Sequence, residues 1–145
     1  FDCVVIDLPR FAARSQISTL IPPASVVVVS DPTLAGMRDT QRLAKLVKTV
    51  TPDSELSIVV NRVGNSKNGE LTIKDFESGA ELSVDHQIPC DVKSAILAEG
   101  AGKTVAEIAK ATKMTQTLRD LSRNVSGRVE DVVQAPMWKR LMGRG

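Results

Sequence analysis

The chain has 145 residues, 42% of them hydrophobic and 25% charged, which is the range of one globular domain with a sizeable core and excludes a fibrous or disordered chain. No apolar run approaches the roughly 18–20 residues needed to cross a bilayer, and no basic-then-apolar leader opens the sequence, so a cytoplasmic protein is expected. The net charge of +2 is uneven: residues 1–100 carry 10 basic against 13 acidic side chains and residues 101–145 carry 9 against 4, which puts the basic surface at the C-terminal end.

Residues 2–7 form an apolar run that predicts a strand, delivering Asp7 to a loop that Pro9 opens. Residues 11–20 read as a loop and a modest helix, which Pro22 and Pro23 stop. Val26 to Val29, four consecutive valines, predict a strand buried on both faces. Residues 34–50 then repeat apolar side chains at helical spacing, with Asp31 or Thr33 expected as the cap. Leu56 to Val60 predict a third strand ending at Asn61-Arg62, and residues 64–69 a solvated loop. Thr72 to Phe76 start a short helix, Leu82 to Ile88 a fourth strand, and Pro89-Cys90-Asp91 the turn beyond it. Helices follow over 92–99, over 104–110 with Thr104 and Glu107 in capping-box spacing, and over 114–126.

Strands separated by helices imply parallel β-α-β units with right-handed crossovers, hence an α/β fold: a mostly parallel sheet with flanking helices. In such sheets ligands gather at the carboxyl ends of strands, and Asp7, Asp31, Asn61 and Asp91 are all expected just past such ends. A carboxylate at Asp7 suits magnesium held through water, the alternative being a cap on the next helix. Asp31 invites comparison with a receiver phosphoacceptor, but the further acidic pair and lysine of that site are not in place, which leaves capping. Asn61 both donates and accepts and could serve an adenine edge, with Arg62 beside it and backbone groups of Pro89 to Asp91 near the same base.

Three other features carry no chemistry of their own. Gly100-Ala101-Gly102-Lys103-Thr104 imitates the end of a phosphate-binding loop, yet Leu97 stands where its first glycine belongs and a helix precedes it, so a helix-to-helix turn is expected. Cys3 and Cys90 read as reduced thiols. His86 is the only histidine, which excludes a multi-histidine metal site.

Taken in order, Asp2 to Arg10 (DCVVIDLPR), Val26 to Arg38 (VVVVSDPTLAGMR), Val59 to Gly64 (VVNRVG), Asp75-Phe76 and Ile88 to Asp91 (IPCD) resemble the later part of the MinD/ParA class of P-loop ATPases. Within that class the sequence is most similar to the TadZ/CpaE type of Flp (Tad) pilus assembly proteins, through Asp-Leu-Pro-Arg, Asn-Arg-Val-Gly and Asp-Phe before an Ile-Pro turn. The resemblance spans residues 1–127, expected as the C-terminal part of a MinD/ParA-like ATPase domain, a partial P-loop NTPase fold lacking the phosphate-loop strand. It implies a cytoplasmic, polar or peripherally membrane-associated homodimer that binds ATP and magnesium and helps localise pilus assembly and secretion components. An active ATPase for chromosome, plasmid or septum positioning is the alternative.

By position, Asp7 resembles the residue that holds magnesium through water, Asn61 the one that recognises adenine, with Arg62 next to it, and Pro89 and Asp91 the loop along the base. Arg10 matches the pilus-type signature without a role attached. The signature lysines of the phosphate loop are absent from these residues, and the sequence does not begin with methionine; a piece of a longer protein is expected, without tight nucleotide binding or catalysis of its own. In this class the phosphate-loop strand lies between the strands of Asp7 and of Ser30, so either an exposed gap or direct pairing of those two is expected. Residues 128–145 form a basic tail in which Pro136 could start a short helix, with Trp138, Leu141 and Met142 on one side and Lys139 and Arg140 toward the other. A frayed or docked tail, a membrane surface and a protein partner are its three readings, and DNA is not an expected partner.

Overall fold

Val26 to Val29 are β-branched and poorly suited to a helix, and they form the centre of strand β1 (Ser25–Ser30). β1 pairs in parallel with β2 (Glu55–Val63), which pairs in parallel with β3 (His86–Pro89), giving the sheet order β1-β2-β3. The computed structural model describes residues 4–17, 25–65 and 69–126. Around the sheet stand helices α1 (Ala13–Gln16), α2 (Leu34–Val50), α3 (Ile73–Ala80), α4 (Val92–Ala101), α5 (Val105–Ile108) and α6 (Lys113–Ser126).

Parallel neighbours need crossovers, and α2 and α3 supply them. The Thr33 side chain caps α2 by accepting from the Gly36 amide at 3.0 Å, and Thr72 caps α3 by accepting from the Asp75 amide at 3.2 Å. α2 turns Thr40, Ala44 and Val47 inward and α3 turns Phe76 and Ala80 inward, each at one-turn spacing. Val28, Ile58, Val60, Phe76 and Ala80 form the core cluster. Val59, on the opposite face by strand alternation, is also fully buried, and α6 packs against β3. At Gly79 an added Cβ would lie 2.2 Å from Met37 Sδ, so the lack of a side chain there lets α3 close on α2.

Most predicted elements are present, with informative differences. The helix over 34–50 has the predicted bounds, the capping box at Thr104 and Glu107 is formed, and the turn between two helices is confined to residues 102–104, because the helix expected over 92–99 runs on to Ala101. β3 is shorter than predicted, because Glu81 leaves α3 in the left-handed region and the Asp85 carboxylate accepts from the Ile58 amide at 2.6 Å, a side chain doing the work of the ladder there. The helix expected over 104–110 stops at Ile108, where Ala109 takes a non-helical conformation.

The strand expected over residues 2–7 is not formed over its described part: residues 4–9 are irregular, with Val4 and Val5 73% and 88% exposed. A strand is stable only when paired, and no strand lies beside this segment among the described residues. Among the described residues β1 is therefore an edge of the sheet, and neither a gap between two strand edges nor direct pairing with an Asp7 strand is formed. Residues 2 and 3, Pro22, Pro23 and the tail residues Trp138, Lys139, Arg140, Leu141 and Met142 lie outside the described residues.

An edge strand of valines with Val29 58% exposed is a template for pairing with another chain. Val29→Lys is expected to reduce concentration-dependent association, measured by light scattering, while leaving the far-ultraviolet circular dichroism unchanged.

Candidate functional site at the carboxyl end of the sheet

β2 does not end at Val60 as predicted but runs on through Asn61 and Arg62 to Val63. From Val60 to Val63 it advances three residues while β3 advances two, from Gln87 to Pro89, so β2 carries a bulge. Arg62 takes the strain of it, adopting a φ of 58° that a residue with a Cβ seldom adopts. The Asn61 Oδ1 accepts from the Arg62 amide at 2.9 Å, tying the bulge to itself. Beyond it the ladder resumes, with the Cys90 amide donating to the Val63 carbonyl at 2.9 Å.

Three strand ends are joined here by polar contacts. Asp31, the first residue after β1, has its carboxylate 3.5 Å from Arg62 Nη1, and both side chains are about half exposed or more. The Cys90 thiol donates to Asn65 Oδ1 at 3.3 Å, linking the β3 exit to the loop after β2. Asp91 caps α4, its carboxylate accepting from the Ser94 hydroxyl at 2.6 Å and the Ser94 amide at 3.1 Å. Those bonds, the hydroxyl first and the amide second, hold the Asp91 carboxyl below the usual carboxylate range. At Gly36 an added Cβ would lie 2.4 Å from the Asp31 carbonyl and 2.5 Å from Ser30 Oγ, so glycine lets the first turn of α2 sit directly on the β1 exit.

Of the sequence-predicted residues, Asn61, Arg62, Pro89 and Asp91 thus share one end of the sheet with Asp31. Asp7 is exposed and outside the sheet, in the irregular segment. It is three residues from Arg10, so its Cα lies within about 11 Å of that residue's, and Arg10 is paired with Asp39 on α2. Sequence reasoning missed the bulge and the Asp31–Arg62 pair. The one available signal was Val63, which continues the apolar run of β2 beyond Asn61-Arg62.

A nucleotide would be met unevenly by this donor set. The Asn61 amide group has two donors, and its oxygen has a second lone pair, which suits a base edge. Among the described residues no three His, Cys, Asp or Glu side chains come together as a metal site, so a metal at Asp7 would need further ligands.

No protein-family model matches the chain. It is 27% identical over 131 residues to the septum site-determining protein MinD of Thermotoga maritima, covering 88% of this chain and 48% of that protein. It is 25% identical over 136 residues to a putative MinD of Mesostigma viride, covering 92% of this chain and 47% of that protein. The chain therefore spans about half the length of the curated relatives it matches. Among solved structures, a ParA family ATPase from Chlorobium tepidum superimposes with a TM-score of 0.59 at 23% identity, over 68% of this chain and 40% of that one. A chain of the MinC:MinD cell division protein complex of Aquifex aeolicus gives 0.59 at 18%, over 74% and 44%. MinD with Mg-ADP from Pyrococcus horikoshii gives 0.56 at 19%, over 68% and 40%. The chain is similar in sequence to MinD proteins and has part of the MinD/ParA-like α/β fold.

Two expectations follow from the geometry. Gly36→Ala forces apart α2 and the β1 exit and should lower the unfolding free energy by about 1–3 kcal/mol in urea denaturation. Because folding lowers the Asp91 pKa, the ionised cap adds stability above the unfolded value near 4, and that contribution is lost as the pH falls through the lower folded value. Asp91→Asn can still cap but does not titrate, so its denaturation midpoint should change less than that of the parent between about pH 5 and pH 3.

Proposed function

We propose that this chain is the base-recognising part of a MinD/ParA-like nucleotide-binding protein that positions the assembly machinery of an Flp (Tad) pilus. The observation that carries the nucleotide reading is the gathering of Asn61, Arg62, Pro89 and Asp91 at the carboxyl end of a parallel sheet of this fold. In this reading the Asn61 carboxamide meets the adenine edge, and the turn from Pro89 to Asp91 lies along the base. Asp91 acts through the shape of that turn, since its carboxylate is already engaged by Ser94. Asp7 holds magnesium through water, together with a phosphate-binding loop whose glycine and lysine pattern these residues do not contain.

ATP with magnesium is the cofactor proposed for the whole protein, in line with the Pyrococcus horikoshii MinD solved with Mg-ADP. A homodimer that docks further proteins is the proposed assembly, and the Aquifex aeolicus MinC:MinD complex is a parallel for partner docking. The tail from Trp138 to Met142 is proposed as a contact for a partner or a membrane surface. The pilus assignment rests on Asp-Leu-Pro-Arg at residues 7–10, Asn-Arg-Val-Gly at residues 61–64 and Asp75-Phe76 ahead of Ile88-Pro89. A second reading, an active MinD/ParA-type ATPase for septum, chromosome or plasmid positioning, is favoured by the curated relatives, both of which are named for septum placement.

Deletion of the gene should abolish pili and leave septa normally placed. Complementation with Asn61→Ala should fail to restore pili, with nucleotide affinity of the purified whole protein reduced about tenfold. Misplaced septa with intact pili would select the second reading and contradict the first.

A further inference from the structure

Arg10 belongs to the Asp-Leu-Pro-Arg signature, and nucleotide recognition leaves it without a role. In the structure its guanidinium Nη1 donates to Asp39 Oδ2 on α2, 29 positions along the chain. Arg42 Nη1 approaches the other carboxylate oxygen at 3.9 Å, so both oxygens of Asp39 face cations. The pairing fixes the turn of residues 10–12 against α2, and between the two runs a groove of about 630 Å3. Its apolar lining comes from Phe11, Leu43 and Leu46, and its cations are Arg10, Arg42 and Lys45.

Leu43 serves both sides of α2: it is partly buried against the core cluster and also lines the groove. Thr40, Ala44 and Val47 are buried in the molecule. Asp39, Arg42, Leu43 and Leu46 follow each other at steps of three, one and three and line the groove. Phe11, 88% exposed, presents nearly its whole ring on the facing turn. The lining holds three cations, Arg10, Arg42 and Lys45, against one carboxylate, Asp39, which Arg10 and Arg42 already face, an excess of two positive charges around an apolar floor. The volume suits a few side chains, within the roughly 300–1,000 Å3 common for ligand sites.

We propose that this groove docks an acidic amphipathic helix of a partner protein. The helix lays apolar side chains, one turn apart, on Phe11, Leu43 and Leu46 and sets Asp or Glu against Arg42 and Lys45. Charge complementarity selects this occupant: a basic helix would meet like charges. A concave groove with Asp39 in its wall is also a poor match to a flat layer of anionic headgroups. Arg10 is a positioning residue, holding one wall in place through Asp39 so that the groove exists before the partner arrives. The proposal does not depend on nucleotide binding.

The test is selection from a displayed library of helical peptides of about 16 residues, apolar at one-turn spacing and otherwise free among Glu, Lys, Gln and Ser, against the whole protein. Binders are expected to be enriched in Glu, to lose at least about tenfold in affinity against Arg42→Glu/Lys45→Glu, and to weaken with Phe11→Ala. Selection against the charge-reversed protein should enrich Lys instead. Should charge reversal disturb folding, as judged by circular dichroism, the milder Arg42→Gln/Lys45→Gln pair provides the same comparison. An empty selection, a selection indifferent to charge, or binders untouched by the charge reversal would overturn the proposal. A dimer in light scattering that the charge reversal dissociates would reassign the groove to a second copy. Phosphatidylglycerol vesicle binding that the reversal abolishes, with no acidic peptide selected, would reassign it to a lipid surface.

Discussion

β2 is hydrogen-bonded in parallel along both of its edges, and the other elements take their places from that strand. Its middle residues Ile58, Val59 and Val60 are buried, so the same three residues anchor the helices on one face and the packing on the other. The constraint changes character two residues later. At Asn61 and Arg62 one extra residue breaks the alternation, and a segment that would have continued the core becomes polar and half exposed. Core and candidate site are therefore consecutive stretches of one strand, and the bulge is the boundary between them.

The carboxyl end of the sheet is built from contacts that each serve geometry first. Thr33 caps α2, Asp91 caps α4, Cys90 bonds to Asn65, and Arg62 joins Asp31 across two strands. These fix the backbone around Asn61, whose amide group keeps its two donors. A site prepared in this way needs little rearrangement on meeting a base, which is where binding free energy is most easily lost. The exposed pairs contribute little to stability individually, as surface ion pairs generally do. What they supply is register.

Much of this was legible in the sequence where local signals and tertiary packing agree. The helix over 34–50 has an apolar stripe, a capping threonine and a proline-marked exit, all pointing the same way. The capping box at Thr104 and Glu107 is a purely local device, and it formed as read. Failures came where an outcome depends on a neighbour. The valines and isoleucine of residues 4–6 have strand character, but pairing is a property of two segments, and the described residues place no second one beside them. The bulge at Asn61-Arg62 was missed for a similar reason: Val63 signals that the strand runs on, but the mismatch in count between β2 and β3 is encoded by neither strand alone. The partnership of Arg10 with Asp39 spans 29 positions and has no local trace.

The central claim is that the bulge and the turn after β3 form the base end of a nucleotide site. Nuclear magnetic resonance of the isotope-labelled whole protein, titrated with Mg-ATP and followed at the Asn61 side-chain amide and the Cys90 and Asp91 backbone amides, tests it most directly. These three signals are expected to shift together along one saturating curve, with the Asn61 amide moving most. Saturable Mg-ATP binding that shifts other signals and leaves these three in place would contradict it.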